Sequence, residues 1–352
     1  MTDFTIAAQR DQVAQYQFHE VHPHLRFGTA SDRYAGWLGQ IYPEERWAGE
    51  VTTRKKRLGK ETFEERLLPI ESVQDYFAHF GVLEIDFTFY RPLRTAEGEP
   101  EGNLFTLQKY ADLAPEGAAF LLKVPQQFFA RKLRRSSGGK VRYENNPDFL
   151  NADAYRIRFH EPAVEVLGER IAGFLFEQEY QRVAESPSPE ENIAELDGFF
   201  SAIPNDVLPH LELRSEHLLV PPYFDWLADR GLGHVFSHWT WLPPIRKQWR
   251  LCGERFTAGN GEAVARLLNP LNMKYAEAFA LAYPFTGPVT ALAETQQARD
   301  MVLDVTALTY KAEEQGYLLN VIANNRAWGN SPALAQAISY RVLEEEEKHS
   351  GL

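Results

Sequence analysis

The chain predicts an α/β fold in which parallel strands close into a TIM-like (β/α) barrel carrying charged loop insertions. Three observations point there. Strand-like runs alternate with amphipathic helical segments along most of the chain, an order that implies parallel strands joined by helical crossovers. Eight such runs can be counted, the number that closes a (β/α) barrel. Several runs end in polar or charged residues, and barrels of this kind gather reactive groups at the C-terminal ends of their strands.

The strand-like runs, in order, are "LRFGTAS" (25–31), "VLEIDFTFY" (82–90), "AAFLLKVP" (118–125) and "IAGFLFEQE" (171–179). They continue with "LPHLELRS" (208–215), "GHVFSHW" (233–239), "MKYAEAFAL" (273–281) and "GYLLNVIANN" (316–325). Between them lie helical segments with readable ends. "SPEENIAELDGFFSAIP" opens with Ser188 followed by Pro189, with Glu191 three residues on, a capping-box pattern. "PPYFDWLADRG" and the long amphipathic stretch before Gly316 both end at glycine. Two charged, loop-like stretches, 46–66 and 130–148, interrupt the rhythm. Both carry basic clusters, at 54–57 and 131–135, and the second contains the turn-prone stretch Ser136-Ser137-Gly138-Gly139. The division expected is an N-terminal extension over 1–24, one barrel domain over 25–343, and an acidic tail over 344–352.

Composition narrows the classes. Of 352 residues, 44% are hydrophobic and 24% charged, and the net charge is −12. An acidic surface argues against broad binding to nucleic acid or anionic membrane, though not against a local basic patch. The single cysteine, Cys252, excludes an intramolecular disulfide and a cysteine-built metal site, and fits a reducing, cytoplasmic location. No apolar run approaches the roughly 18 residues needed to span a bilayer.

Strand parity then sorts the polar residues. In "VLEIDFTFY", Ile85, Phe87 and Phe89 are expected to pack against helices while Glu84, Asp86 and Tyr90 face the barrel mouth. Leu211 and Leu213 alternate with Glu212 and Arg214; Phe174 and Phe176 alternate with Leu175 and Glu177. Lys123 ends its run before Pro125, and another run ends in Asn324-Asn325. Charges are costly to bury unless paired. The set therefore reads either as a functional pocket or as structural ion pairs, such as Glu212–Arg214 or Glu84–Lys123, that plug the barrel.

These stretches resemble the DUF72, or YecE-like, family. "FGTASDRYAGWLGQIYP" (27–43) is similar to the family's opening motif through Gly28, Thr29, Trp37, Gly39, Tyr42 and Pro43. "LEIDFTFYRP", "LLKVP", "LELRSEH" and "NNRAWGNSPALA" are similar to its later motifs, in the right order and reaching to about 338. The resemblance implies a TIM-barrel-like fold and no established activity. The family's asparagine after glutamate-isoleucine is Asp86 here, its usual glutamine in the fourth strand is Glu177, and its histidine after Arg214 is Ser215, with His217 two residues further on. The pocket is thus more acidic than the family pattern.

The leading reading is an enzyme acting on a small polar or phosphorylated, sugar- or nucleotide-like ligand by carboxylate acid–base chemistry, a hydrolase or an isomerase/lyase. Its reactive set is Glu84, Asp86, Lys123, Glu177, Glu212 and Arg214, with Thr29, Trp37, Tyr90, His238, Trp239, Asn324 and Asn325 as ligand-binding residues. No cofactor is identified. A divalent metal held by Glu84, Asp86, Glu177, Glu212 and His238 is disfavoured, since no histidine-glutamate-x-x-histidine motif is present. The rival reading is a non-enzymatic protein that binds nucleic acid through the basic clusters at 54–57 and 131–135.

Overall fold

The computed structural model describes residues 3–58, 61–137 and 140–349. Its barrel strands are β1 (Leu25–Ala30), β4 (Val82–Ile85), β5 (Ala119–Lys123), β8 (Ile171–Gln178), β9 (Pro209–Leu213), β10 (Gly233–His238), β11 (Glu262–Leu267) and β12 (Leu318–Ala323). The remaining strands form two antiparallel hairpins, β2 (Thr52–Leu58) with β3 (Glu61–Leu67) and β6 (Lys132–Ser137) with β7 (Lys140–Asn145). The barrel strands run parallel in the order β1-β12-β11-β10-β9-β8-β5-β4, and β1 pairs with both β12 and β4, closing the ring.

Strand parity builds the interior in layers. Val82, Leu121, Leu175, Val235, Val264 and Ile322 form an apolar layer inside the ring. Two residues further along the same strands come Glu84, Lys123, Glu177, Ser237 and Arg266, which must face inward too. Below, the His210 ring fills a space that no neighbour could share. A Cβ on Gly173 would lie 2.6 Å from it and one on Gly233 2.2 Å. The outward faces of the strands, with Ile85, Phe120, Phe174, Phe176, Leu211 and Phe236, join the helices in one continuous core.

Helix ends follow the sequence signals. Ser188 and Glu191 form a capping box, and Gly231 and Gly316 end their helices in the left-handed conformation. No helix among the described residues is long and apolar enough to cross a membrane.

Three expectations are corrected. The run 273–281 is not a strand; it lies mostly within the helix Tyr275–Ala282, and the seventh barrel strand is β11, Glu262–Leu267. The run 82–90 stops being a strand at Ile85 and turns into a 3-10 helix over Phe87–Phe89. The stretches 46–66 and 130–148 are largely hairpins rather than loops; Gly138 and Gly139 lie outside the described residues. Of the acidic segment expected over 344–352, residues 344–349 lie within the helix Ser331–His349, and 350–352 lie outside the described residues. Glu347 in that helix holds Arg10 of the N-terminal helix Asp3–Ala14 at 2.9 Å.

Candidate functional site

The inward-facing charges meet at one end of the barrel. Arg266 of β11 donates to both carboxylate oxygens of Glu84, at 2.8 and 2.6 Å. It also donates to Glu212 and, at 3.5 Å, to Glu177. Arg214, just past β9, reaches Glu177 at 2.8 Å and Glu212 at 3.4 Å. Lys123 reaches the same Glu177 oxygen at 2.7 Å, and the Ser237 hydroxyl donates to Glu212 at 2.5 Å. Three carboxylates and three cations from five strand ends thus form one connected cluster, and Glu84, Glu212 and Arg266 are almost wholly enclosed, at 1%, 1% and 2% exposure.

Above the cluster opens a cleft of about 190 Å3, below the ~300–1,000 Å3 of drug-sized sites. Its floor is Glu84, Lys123, Glu177, Arg214 and Arg266; its walls include Tyr34, Lys56, Asp86, Phe89, Tyr90, Trp239, Tyr275 and Asn324 to Arg326. Five cations and three carboxylates line it. Lys56 enters from the β2–β3 hairpin, which Phe63 anchors by edge-on packing against Phe279 and Tyr283. Glu65 takes both Lys56, at 2.9 Å, and Arg54, at 2.5 Å, so one carboxylate serves two cations there. Arg326 lies over the Tyr275 ring at 4.3 Å and Arg214 over Trp239 at 4.2 Å, geometries in which the ring face attracts the cation.

The carboxylates differ sharply in character. Burial would raise the pKa of Glu177, but Arg214, Lys123 and Arg266 outweigh it and hold it at about 2. Glu212 is likewise held low: burial is outweighed by Arg214 and Arg266. Asp86 is different. It sits half-buried just past β4, pairs with no cation among the described residues, and its pKa is raised by burial, with Lys123 offsetting only part of this and Glu84 adding to it.

A pH consequence follows for Glu177. Its folded pKa of about 2 lies below the ordinary 4.5. The stability it contributes is therefore present above about pH 4.5 and lost as pH falls towards 2, on the order of 3 kcal/mol in all. Urea unfolding at pH 7, 4 and 3 should show Glu177→Gln approaching the parent protein as pH drops. A stability difference that stays constant across this range would contradict the assignment.

Of the sequence-assigned residues, Glu84, Asp86, Lys123, Glu177, Arg214, Tyr90, Trp239, Asn324 and Asn325 line the cleft, and Glu212 lies in the cluster beneath it. Tyr90 is 70% exposed at the rim. Thr29, Trp37 and His238 do not face the cleft. Ala30 packs inside the barrel, so Thr29 points outward, where its hydroxyl and that of Tyr76 lie 3.0 Å apart. Val235 and Ser237 turn inward on β10, so His238 faces out, with Nδ1 2.8 Å from the carbonyl of Asn269. Trp37 is fully enclosed and donates its indole N–H to Asn325 at 3.1 Å. It supports a cleft residue rather than a ligand. Phe89, expected against the helices, lies under Lys123 at 3.8 Å. Ser215 accepts a hydrogen bond from the backbone of Gln181 at 2.8 Å and takes no part in the cluster.

Sequence reasoning misses Arg266 and Arg326, and it places Lys56 only within the basic cluster 54–57, not by itself in the cleft. Arg266 repeats the strand-end signal, a charge two residues past an inward Val264, on a strand that was not recognised. Lys56 comes from a hairpin and Arg326 from the short helix Asn325–Trp328, and only the folded chain defines their reach. Among the described residues, no group of three or more His, Cys, Asp or Glu side chains is placed to hold a metal ion.

The family model described as "Protein of unknown function DUF72" matches residues 49–351. A DUF72 family protein from Thermotoga maritima has a similar structure, with a TM-score of 0.51 at 16% identity over 91% of this chain and 99% of that one. Another, from Enterococcus faecalis, has a TM-score of 0.51 at 14% identity over 90% of this chain and 95% of that one. At such identities the likeness concerns the fold alone. No curated protein matches the chain.

Proposed function

The chain belongs to the DUF72 family, proteins of unknown function, and from that premise we propose that its cleft is the catalytic site of an enzyme acting on a small polar ligand, with Asp86 moving the proton. The carrying observation is the contrast among the carboxylates. Glu84, Glu177 and Glu212 are committed to cations, and a glutamate held near 2 is a weak base. Asp86 is outside the ion-pair cluster, reaches the cleft, and has a pKa shifted towards neutrality, as a general acid–base group requires. The reactive set is thereby divided. Asp86 does the chemistry; Glu84, Glu177 and Glu212 hold Arg266, Arg214 and Lys123 in place; and those cations polarise a carbonyl or hold an anion. Tyr90, Trp239, Asn324 and Asn325 surround the ligand. Hydrolysis and isomerisation or elimination are all within reach of one such group beside fixed cations.

The rival reading, nucleic-acid binding through basic clusters, draws less support. In the first hairpin Arg54 lies opposite Glu65 and Lys55 opposite Glu64, so a basic strand faces an acidic one. In the second, Lys132 is held by Glu185 at 3.1 Å and Arg131 is held by Glu195. Cations so paired have less to offer a phosphate backbone.

The test is a turnover screen of small phosphorylated and hydroxylated compounds, followed by nuclear magnetic resonance, with the parent protein and Asp86→Asn. Conversion should fall about 10²–10⁴-fold in the variant. Its thermal midpoint should hold or rise. A carboxyl whose folded pKa is raised costs stability while ionised, and the amide removes that cost. Undiminished conversion by Asp86→Asn would defeat the reading.

A further inference from the structure

The buried polar atoms that lack a protein partner around the cleft are all donors. They are Nε of Arg214, the indole nitrogen of Trp239, the side-chain amide nitrogen of Asn325 and Nε of Arg326. Among the described residues lining the cleft, no buried acceptor is left in that condition. Buried donors are seldom left unpaired, and when protein supplies no acceptor a ligand or water does. The four are not scattered. Asn325 and Arg326 follow β12, while Arg214 and Trp239 follow the neighbouring strands β9 and β10. In the ring order only β11, which carries Arg266, separates β12 from β10.

The two ends differ in charge. At the β9–β10 end, the Arg214 guanidinium already serves Glu177 and Glu212. At the β12 end, Arg326 forms no ion pair among the described residues and is steadied by the Tyr275 ring. Lys56 shares its single carboxylate with Arg54. Besides the shared Glu65, the cleft carboxylate that senses both Arg326 and Lys56 is Asp86, which pairs with neither; Asn325, next to Arg326, is 2% exposed with its amide nitrogen unpaired.

We infer that Asn325 and Arg326, together with Lys56 from the hairpin, form an oxyanion subsite that takes the phosphate group of a small phosphorylated compound of sugar-phosphate size. A carboxylate is planar and is satisfied by one fork of donors. Here the donors come from two separate segments, the hairpin and the end of β12, and a tetrahedral phosphate accepts from several directions. Arg214 and Trp239 then donate to hydroxyl or carbonyl oxygens on the rest of the ligand. The small cleft volume suits such a compound. The inference rests on the cleft being the ligand site, but not on Asp86 carrying out turnover.

The experiment is calorimetric titration of the full chain with inorganic phosphate at fixed ionic strength, with acetate in parallel. Saturable phosphate binding is expected, and acetate should bind at least tenfold more weakly. Arg326→Gln should weaken phosphate at least tenfold and Lys56→Gln several-fold, whereas Lys247→Gln, an exposed residue held by Glu216, should change nothing. Asp86→Asn should bind phosphate as well as the parent or better, because a negative charge has gone. This separates loss of the subsite from loss of the catalytic reading. Absence of saturable phosphate binding, acetate binding of equal strength, or unchanged affinity in either Arg326→Gln or Lys56→Gln would overturn the subsite. Lys56 sits on a hairpin outside the barrel sheet, so its variant remains informative if Arg326→Gln folds poorly.

Discussion

Replacing Arg266 with methionine is expected to destabilise the protein by about 5 kcal/mol, the upper end of the cost of breaking a buried ion pair. Arg266 is 2% exposed and is the cation that bonds both oxygens of Glu84. Without it, Glu84 has no cation partner among the described residues. Glu212 keeps only Arg214, at 3.4 Å. Two carboxylates would then remain ionised in an enclosed space, or take up protons at the expense of folding. Arg266→Lys should recover only part of the loss, since an ammonium cannot form the two-pronged bond to Glu84. Urea unfolding checks both variants: the midpoint should fall with the slope unchanged. A midpoint like that of the parent would mean that the cluster does not hold the barrel together.

Glu212→Gln is expected to cost about 3 kcal/mol, the lower end of the same range. The amide preserves shape and still accepts from Ser237, but Arg266 and Arg214 each lose a carboxylate partner. The loss is smaller than for Arg266 because both guanidiniums keep Glu177. The outcome should therefore be the reverse of that for Asp86→Asn, a lower melting midpoint rather than an equal or higher one. Combining Glu212→Gln with Arg266→Met should cost clearly less than the sum of the two, as residues of one network do. An unchanged midpoint for Glu212→Gln would instead free Glu212 from its structural role and return it to the acid–base set.

Alternation along short strands made much of this legible in advance. A side chain two residues beyond an inward valine or leucine must also face inward, and that rule alone places Glu84, Lys123 and Glu177 together. It failed where periodicity misleads. "MKYAEAFAL" has large residues at every second position and mimics a strand, yet Tyr275 and Phe279 are four apart, and their rings stack at 6.3 Å along a helix. "EAVARL" is a strand with two alanines and only one β-branched residue, a composition that propensity assigns to helix. It forms because its neighbours supply hydrogen bonds on both edges. The price of that mistake was Arg266, the hub of the cluster. Thr29 and His238 were misplaced for a different reason. They stand in motifs rich in polar residues, but each is one step from an inward neighbour, Ala30 or Ser237, and parity turns it outward.

The β2–β3 hairpin lies outside the hydrogen-bonded ring, and its one backbone link beyond itself is an antiparallel bridge from Leu67 to Tyr34 among the described residues. Its grip on the rest of the molecule includes Phe63 among the aromatic residues by the mouth, and among the described residues its contribution to the cleft is the side chain of Lys56. On the proposed reading of the cleft, selectivity and foldability are thereby encoded in largely separable parts of the gene. If the cleft takes a ligand as proposed, changes in this hairpin that spare Phe63 and Glu65 would alter the entrance without touching the strand pairing of the barrel. Lineages carrying this architecture could diversify at the entrance without passing through unfolded intermediates in sequence space.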